Sequence, residues 1–180
     1  MNTSAKYFLA IVPEGDVYNK IEEIKKYCSS KYLTKGALRS PAHITLHMPF
    51  EWKASKELTL INTLQQFKAT VLTIELENYN CFEPRVVYID VKPNELLKLL
   101  QQQLVLFVKK HLGLFNQYED KRGFSPHVTI AFRDLKKESF YKVWKEFNEL
   151  KFNAAFNCSS FYIMKQVNQQ WIPFHQITFN

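Results

Sequence analysis

The hydrophobic positions of the chain change period several times, and this pattern predicts strands interrupted by helices. Residues 6–12, KYFLAIV, are mostly aliphatic or aromatic and stop at Pro13, which is typical of a strand that ends in a turn. Apolar residues then recur at helical spacing through about residue 29 and predict a first helix. A second amphipathic helix is expected to begin at Ser55. Residues 69–79, ATVLTIELENY, alternate apolar and polar positions and predict a strand.

The second half of the chain follows a similar order. Residues 85–91, RVVYIDV, predict a strand, and Asn94 is placed to cap a strong amphipathic helix behind it. Residues 136–150 predict another helix. Two final strands are expected near residues 154–164 and 171–179.

The two halves, at about residues 5–80 and 84–180, therefore share a pattern although their sequences differ. Packed side by side, they would form a single α+β domain with two lobes, spanning residues 1–180. Such a duplicated arrangement would place equivalent strands around a pseudo-twofold axis.

One pair of equivalent segments, PAHITLHM and SPHVTIAF, contains side chains that could take part in catalysis. Each has a proline before a histidine, a threonine two residues after it, and aliphatic residues between. Alternate residues of a strand point to the same side, so His43 shares a face with Thr45, and His127 shares a face with Thr129. The pseudo-twofold axis would bring these two polar faces together.

Two facing histidines suit displacement at phosphorus. One imidazole can take a proton from the attacking oxygen while the other gives a proton to the leaving oxygen, near neutral pH. Threonine hydroxyls beside them can donate hydrogen bonds to the non-bridging phosphate oxygens, where negative charge increases in the transition state. This chemistry requires neither a metal nor a covalent nucleophile.

The segments HITL and HVTI resemble the paired signature of the two-histidine (2H) phosphoesterase superfamily. The chain is most similar to its bacterial RNA 2',3'-cyclic phosphodiesterases, also called 2'-5' RNA ligases, and the likeness extends to YFLAIVP, FEPRVVYIDV and RGFSPHVTIAF. The resemblance implies a bilobal α+β fold in which antiparallel sheets line a central cleft and helices lie outside. It also implies catalytic roles for His43 and His127, and phosphate binding by Thr45 and Thr129. The implied substrate is a 2',3'-cyclic phosphate on an RNA end or a nucleotide, without a cofactor, and reverse 2'-5' ligation would accompany its hydrolysis.

Four further residues are candidate substrate contacts. Relatives often carry a basic residue where this chain has His47, and strand alternation places His47 on the face of the first motif. The same alternation makes Arg133 a candidate phosphate contact. Phe132 and Tyr162 are candidates for stacking on bases.

The composition of the chain is compatible with this interpretation of the two motifs. A formal net charge of +7 is compatible with an RNA-sized partner, although solvated helix faces explain most of the lysines. The odd number of cysteines, three, indicates reduced thiols. The apolar run at residues 7–12 is too short for a signal peptide or a membrane span, so we expect a cytoplasmic protein without a membrane partner. A monomer is expected because the cleft is internally duplicated.

Two alternatives remain open at this stage. A zinc hydrolase would require His43, His47 and His127 as ligands, but the first two lie on a strand and lack the acid of a His-Glu-x-x-His helix. A non-catalytic RNA-binding module would suit the basic charge, yet binding alone does not need two proton-transfer groups. His111 and His175 lie outside either motif.

Overall fold

A computed structural model of the protein describes residues 3–116 and 123–179. Its elements follow the predicted order of strands and helices, with two 3₁₀ turns, at Gly36–Arg39 and Ala54–Lys56. The strands are β1 (Ser4–Ile11), β2 (Ile44–Lys53), β3 (Leu72–Phe82), β4 (Val86–Val91), β5 (His127–Ala131), β6 (Asn153–Cys158), β7 (Ser160–Val167) and β8 (Gln170–Thr178). The helices are α1 (Gly15–Tyr32), α2 (Glu57–Leu64), α3 (Glu95–Leu112) and α4 (Lys137–Phe147).

The strands form two four-stranded antiparallel sheets, in the orders β2-β1-β7-β8 and β5-β4-β3-β6. The strand that carries each His-Thr motif lies at the edge of its sheet, next to the strand that opens its half of the chain. The edge strands β2 and β5 contact each other, so the two sheets meet along the motifs. The bilobal α+β fold is confirmed.

The sheets do not follow the halves of the chain. β3 joins the second sheet, whereas β7 and β8 join the first. The expected single strand near residues 154–164 is two strands, because the chain changes sheets at Ser159: Cys158 pairs with Leu72, and Ser160 pairs with Thr178. The lobes are therefore interleaved, and the division of the sequence near residue 80 is one of pattern rather than of sheets.

Two of the helices also cross from one sheet to the other. α1 follows a strand of the first sheet and packs on β5 and β6 of the second, while α3 follows β4 and packs on β2. Asn94 caps α3 as predicted, since its side chain accepts a hydrogen bond from the Leu97 amide at 3.0 Å. One continuous core fills the space between sheets and helices. None of the helices in the described part of the chain is long and apolar enough to cross a membrane.

Candidate active site

The two motifs line one cavity of about 470 Å³ where the sheets meet. His43 directly precedes β2, and His127 is the first residue of β5. Thr45 and Thr129 follow on these strands, and all four side chains line the cavity. The arrangement expected from the duplicated pattern is thus present in the structure.

The same local contact holds both histidines. Nδ1 of His43 donates to the carbonyl oxygen of Pro41 at 2.7 Å, and Nδ1 of His127 donates to the carbonyl oxygen of Ser125 at 2.7 Å. A carbonyl oxygen can only accept, so each Nδ1 carries a proton. The neutral form of each ring then has its lone pair on Nε2, which is the nitrogen able to exchange a proton with a ligand.

Aromatic rings limit the orientation of both imidazoles. The ring centroid of His43 lies 5.0 Å from that of Phe8. His127 lies between Phe82 and Tyr88, with centroid distances of 5.0 and 4.8 Å. Phe8 lies on β1, Tyr88 on β4 and Phe82 on β3, so each ring contacts strands of the same sheet as its own motif.

Burial lowers the pKa of His43 to about 4. The hydrogen bond to the Pro41 carbonyl opposes this shift, while the positive charges of Lys25 and of protonated His127 add to it. The effect of a protonated His127 on the pKa of His43 indicates that the two imidazoles are close enough to interact electrostatically. At neutral pH His43 is therefore uncharged and able to accept a proton.

The cavity is suited to an anion. Arg39 and Arg133 line it, and its wall contains no aspartate or glutamate among the described residues. Arg39 ends the 3₁₀ turn that leads into the first motif, and no sequence pattern singled it out as a site residue. Its only signal was its position in a loop before a motif strand.

Arg133 and Phe132 line the cavity as well, but strand alternation is not the reason. β5 ends at Ala131, and the backbone of Arg133 then adopts a left-handed conformation, with φ of 71°. The Arg133 guanidinium lies 5.5 Å from the centre of the Phe132 ring. Their contact with a substrate stays a prediction.

A carboxylate joins the two arginine-bearing loops. Asp134 accepts hydrogen bonds from the Thr34 hydroxyl at 2.7 Å and from the backbone amides of Lys35 at 2.7 Å and Gly36 at 3.0 Å. The loops approach so closely that a Cβ atom on Gly36 would lie 2.2 Å from the Phe132 carbonyl oxygen. Only glycine fits at this position without a shift of the backbone.

We therefore expect Gly36→Ala to lower the stability of the protein by about 1–3 kcal/mol, the usual cost of overpacking. Substrate KM should rise, because Arg133 would move with its loop. Thermal unfolding and steady-state kinetics measure the two effects. Lys35→Ala is the matched control, since Lys35 is exposed on the same loop and keeps its backbone amide. A Gly36→Ala protein with wild-type melting temperature would show that the loops separate without cost.

The prediction that His47 contacts the substrate is wrong. Leu9 lies opposite His47 and Ala10 lies opposite Thr45, so β2 carries one extra residue here, a β-bulge that breaks the alternation of side chains. His47 is consequently fully buried, at 0% exposure, and its Nδ1 donates to the Met48 carbonyl oxygen at 2.8 Å. Met48 lines the cavity instead.

The contact of Tyr162 with a base stays a prediction. Tyr162 pairs with Ala10 and packs against the small cluster that contains Phe8 and Met164. It shares the sheet face of Phe8 but does not line the cavity. Trp171 of β8 lines the cavity and contacts the Phe8 ring edge-on at 4.7 Å.

The zinc alternative loses its ligand set. His47 lies in the core on the other side of β2 from His43, so the three histidines do not converge. Within the described ranges, no three side chains of histidine, cysteine, aspartate or glutamate come together as metal ligands would. His111, on α3, and His175, on β8, lie outside the cavity wall.

Comparisons with known proteins agree with this geometry. A protein of Geobacillus sp. (strain WCH70), whose name records a presumed phosphoesterase activity, is 26% identical over 171 residues, covering 92% of this chain and 91% of its own length. A similarly named protein of Bacillus pumilus is 28% identical over 130 residues, covering 70% and 69%.

Solved structures show the same fold. Escherichia coli LigT superposes with a TM-score of 0.66 at 18% identity, covering 99% of each chain. A protein of Thermus thermophilus gives a TM-score of 0.65 at 16% identity, covering 97% of each chain. The family model of the 2'-5' RNA ligase superfamily matches residues 13–170. The chain therefore belongs to this superfamily of two-histidine phosphoesterases.

Proposed function

We propose that the protein is a metal-independent cyclic phosphodiesterase that hydrolyses 2',3'-cyclic phosphate at RNA ends or on nucleotides. The observation that carries this proposal is the matched pair of histidines in one cavity, each fixed through Nδ1 to a backbone carbonyl 2.7 Å away. The neighbouring hydroxyls of Thr45 and Thr129 supply hydrogen-bond donors for the phosphate oxygens. Binding a phosphate would not by itself require two proton-transfer groups.

The lowered pKa of His43 favours this residue as the general base, which leaves the acid role to His127. His43 is uncharged at neutral pH, so its Nε2 accepts a proton from water as the water oxygen forms a bond to phosphorus. The bond between phosphorus and the ribose 3' oxygen breaks, and His127 gives that oxygen a proton. The products are a 2'-phosphate and a free 3'-hydroxyl. Ligation would be the same displacement with the 5'-hydroxyl of a second RNA end in place of water: a bond forms between phosphorus and the 5' oxygen, the bond to the 3' oxygen breaks, and the products are a 2'-5' linkage and a free 3'-hydroxyl.

The cavity wall suits the rest of a nucleotide. Arg39 and Arg133 provide positive charge beside the histidines, and Phe132 and Trp171 present aromatic surface on which a base can stack. Solved structures of E. coli LigT, which has this fold, include complexes with 3'-AMP, ATP and phosphate. These features favour an RNA end or a nucleotide as the substrate.

The test is hydrolysis of a 2',3'-cyclic nucleotide in the presence of EDTA, measured across pH. We expect turnover to persist in EDTA and kcat/KM to follow a bell-shaped profile. The base must be uncharged, so the acid limb should lie near the His43 pKa of about 4 rather than at the usual value of about 6.5. The alkaline limb should report deprotonation of the general acid.

Folding must be followed in the same experiment. The pKa of His43 is lower in the folded than in the unfolded chain, so below about pH 6.5 the unfolded chain takes up a proton that the folded chain does not. The free energy of unfolding should therefore keep its full value above about pH 6.5 and decrease by up to about 3 kcal/mol as the pH falls towards 4. Circular dichroism at each pH separates this effect from catalysis. Activity abolished by EDTA would contradict the proposal. RNA binding without any turnover would favour the non-catalytic alternative.

A further inference from the structure

Lys25 is a buried cation that the proposed mechanism does not use. It lies on α1, and its side chain is only 1% exposed. Burying an ammonium group is costly unless its charge and its hydrogen bonds are satisfied. The hydrogen-bond partners of Lys25 therefore indicate which segment of the chain this residue positions.

Those partners converge on the segment in front of the first motif. Nζ of Lys25 donates to Glu22 at 2.6 Å and to the carbonyl oxygen of Ser40 at 2.7 Å. The Glu22 carboxylate in turn accepts a hydrogen bond from the backbone amide of Ala42 at 2.7 Å. Pro41, between these two anchored residues, supplies the carbonyl oxygen that holds Nδ1 of His43.

Lys25 also acts on His43 electrostatically. The positive charge of Lys25 disfavours protonation of His43, in addition to the larger effect of burial. The charged and titratable groups around His43 are Lys25 and Glu22 on α1, His127 on β5, and Arg39 and Arg133 in the two loops of the cavity. The carboxylate of Glu22 is the only negative charge in this set of described residues, and its bonds to Lys25 and Ala42 engage it.

We propose that Lys25 is a positioning residue for His43: together with Glu22 it clamps residues 40–42 and so sets the imidazole for proton transfer. The inference rests on the proposed function in taking His43 as the proton acceptor. Lys25 does not line the cavity, so its effect is exerted through His43.

The test uses Lys25→Met, which keeps the length of the side chain and removes its charge. We expect kcat on a 2',3'-cyclic nucleotide to fall about 10- to 100-fold, the usual cost of a small misplacement of a catalytic group, with KM within about twofold of wild type. An NMR titration of the imidazoles without substrate should show the pKa of His43 rising towards its ordinary value. The acid limb of the pH profile should move in the same direction.

Two further variants keep the test decisive. Glu22→Gln/Lys25→Met retains an acceptor for the Ala42 amide without leaving an unpaired carboxylate, and it should still show the raised His43 pKa and the lowered kcat. Lys165→Met is the matched control, because Lys165 donates to Glu57 at the same distance, 2.6 Å, away from the cavity. It should leave both readouts unchanged.

Wild-type kcat and an unshifted His43 pKa in either folded Lys25 variant would overturn the inference. Failure of both to fold would overturn it as well, because the pair would then serve the fold rather than the site. The NMR readout needs no substrate. A wild-type protein inactive on cyclic phosphates would therefore refute the proposed function while leaving the control of Lys25 over His43 measurable.

Discussion

Replacement of either His43 or His127 by alanine should lower kcat/KM for a 2',3'-cyclic nucleotide about 10²- to 10⁴-fold, the range that general acid–base catalysis contributes. KM should change little, because the two threonines and two arginines of the cavity remain. The double variant should be only slightly worse than either single variant, because the proposed mechanism uses both histidines in one concerted transfer. Steady-state kinetics in EDTA measure all three.

His175→Ala is the control for these substitutions. His175 lies on β8 outside the cavity wall, and its Nε2 is 3.5 Å from the Gln65 amide nitrogen. Its loss should leave turnover at the wild-type level. Unimpaired turnover in His43→Ala or His127→Ala would refute two-histidine catalysis.

Removal of the threonine hydroxyls should have the second largest effect on turnover. Thr45→Val and Thr129→Val keep the shape of each side chain but remove the hydroxyl, and each should lower kcat about 10²- to 10³-fold, as the loss of one transition-state hydrogen bond does elsewhere. The effect should fall on kcat more than on KM, because charge on the phosphate oxygens increases in the transition state.

Thr45→Ser and Thr129→Ser are the matched controls, since serine restores the donor without the methyl group. They should recover most of the lost rate. If the valine variants turned over within twofold of wild type, the hydroxyls would have no part in stabilising the phosphate.

The local parts of this site could be predicted from the sequence, and the non-local parts could not. His43 with Thr45, and His127 with Thr129, were identified because strand alternation is a property of neighbouring residues. His47 was misplaced because the bulge in β2 depends on its pairing with β1, which the sequence of β2 alone does not contain.

The loop residues illustrate the same limit. Asp134, just after β5, accepts hydrogen bonds from the loop that contains Arg39 and holds that loop beside the cavity. Asp134 and Arg39 are far apart in the sequence, so the sequence pattern does not show this contact. The change of sheet at Ser159 was missed for a similar reason, since an apolar run does not show which neighbour each part of it will pair with.

The interleaving of the sheets has a consequence for synthesis on the ribosome. The sheet that contains β2, the strand directly after His43, is completed by β7 and β8, which follow both motifs in the chain and are translated after them. Until they emerge, β1 has an open edge where β7 will pair, and an open edge is prone to aberrant pairing. A chain interrupted before residue 160 would contain both histidines yet lack half of the first sheet. The first motif therefore leaves the ribosome before the second, although the sheet to which it belongs is completed later.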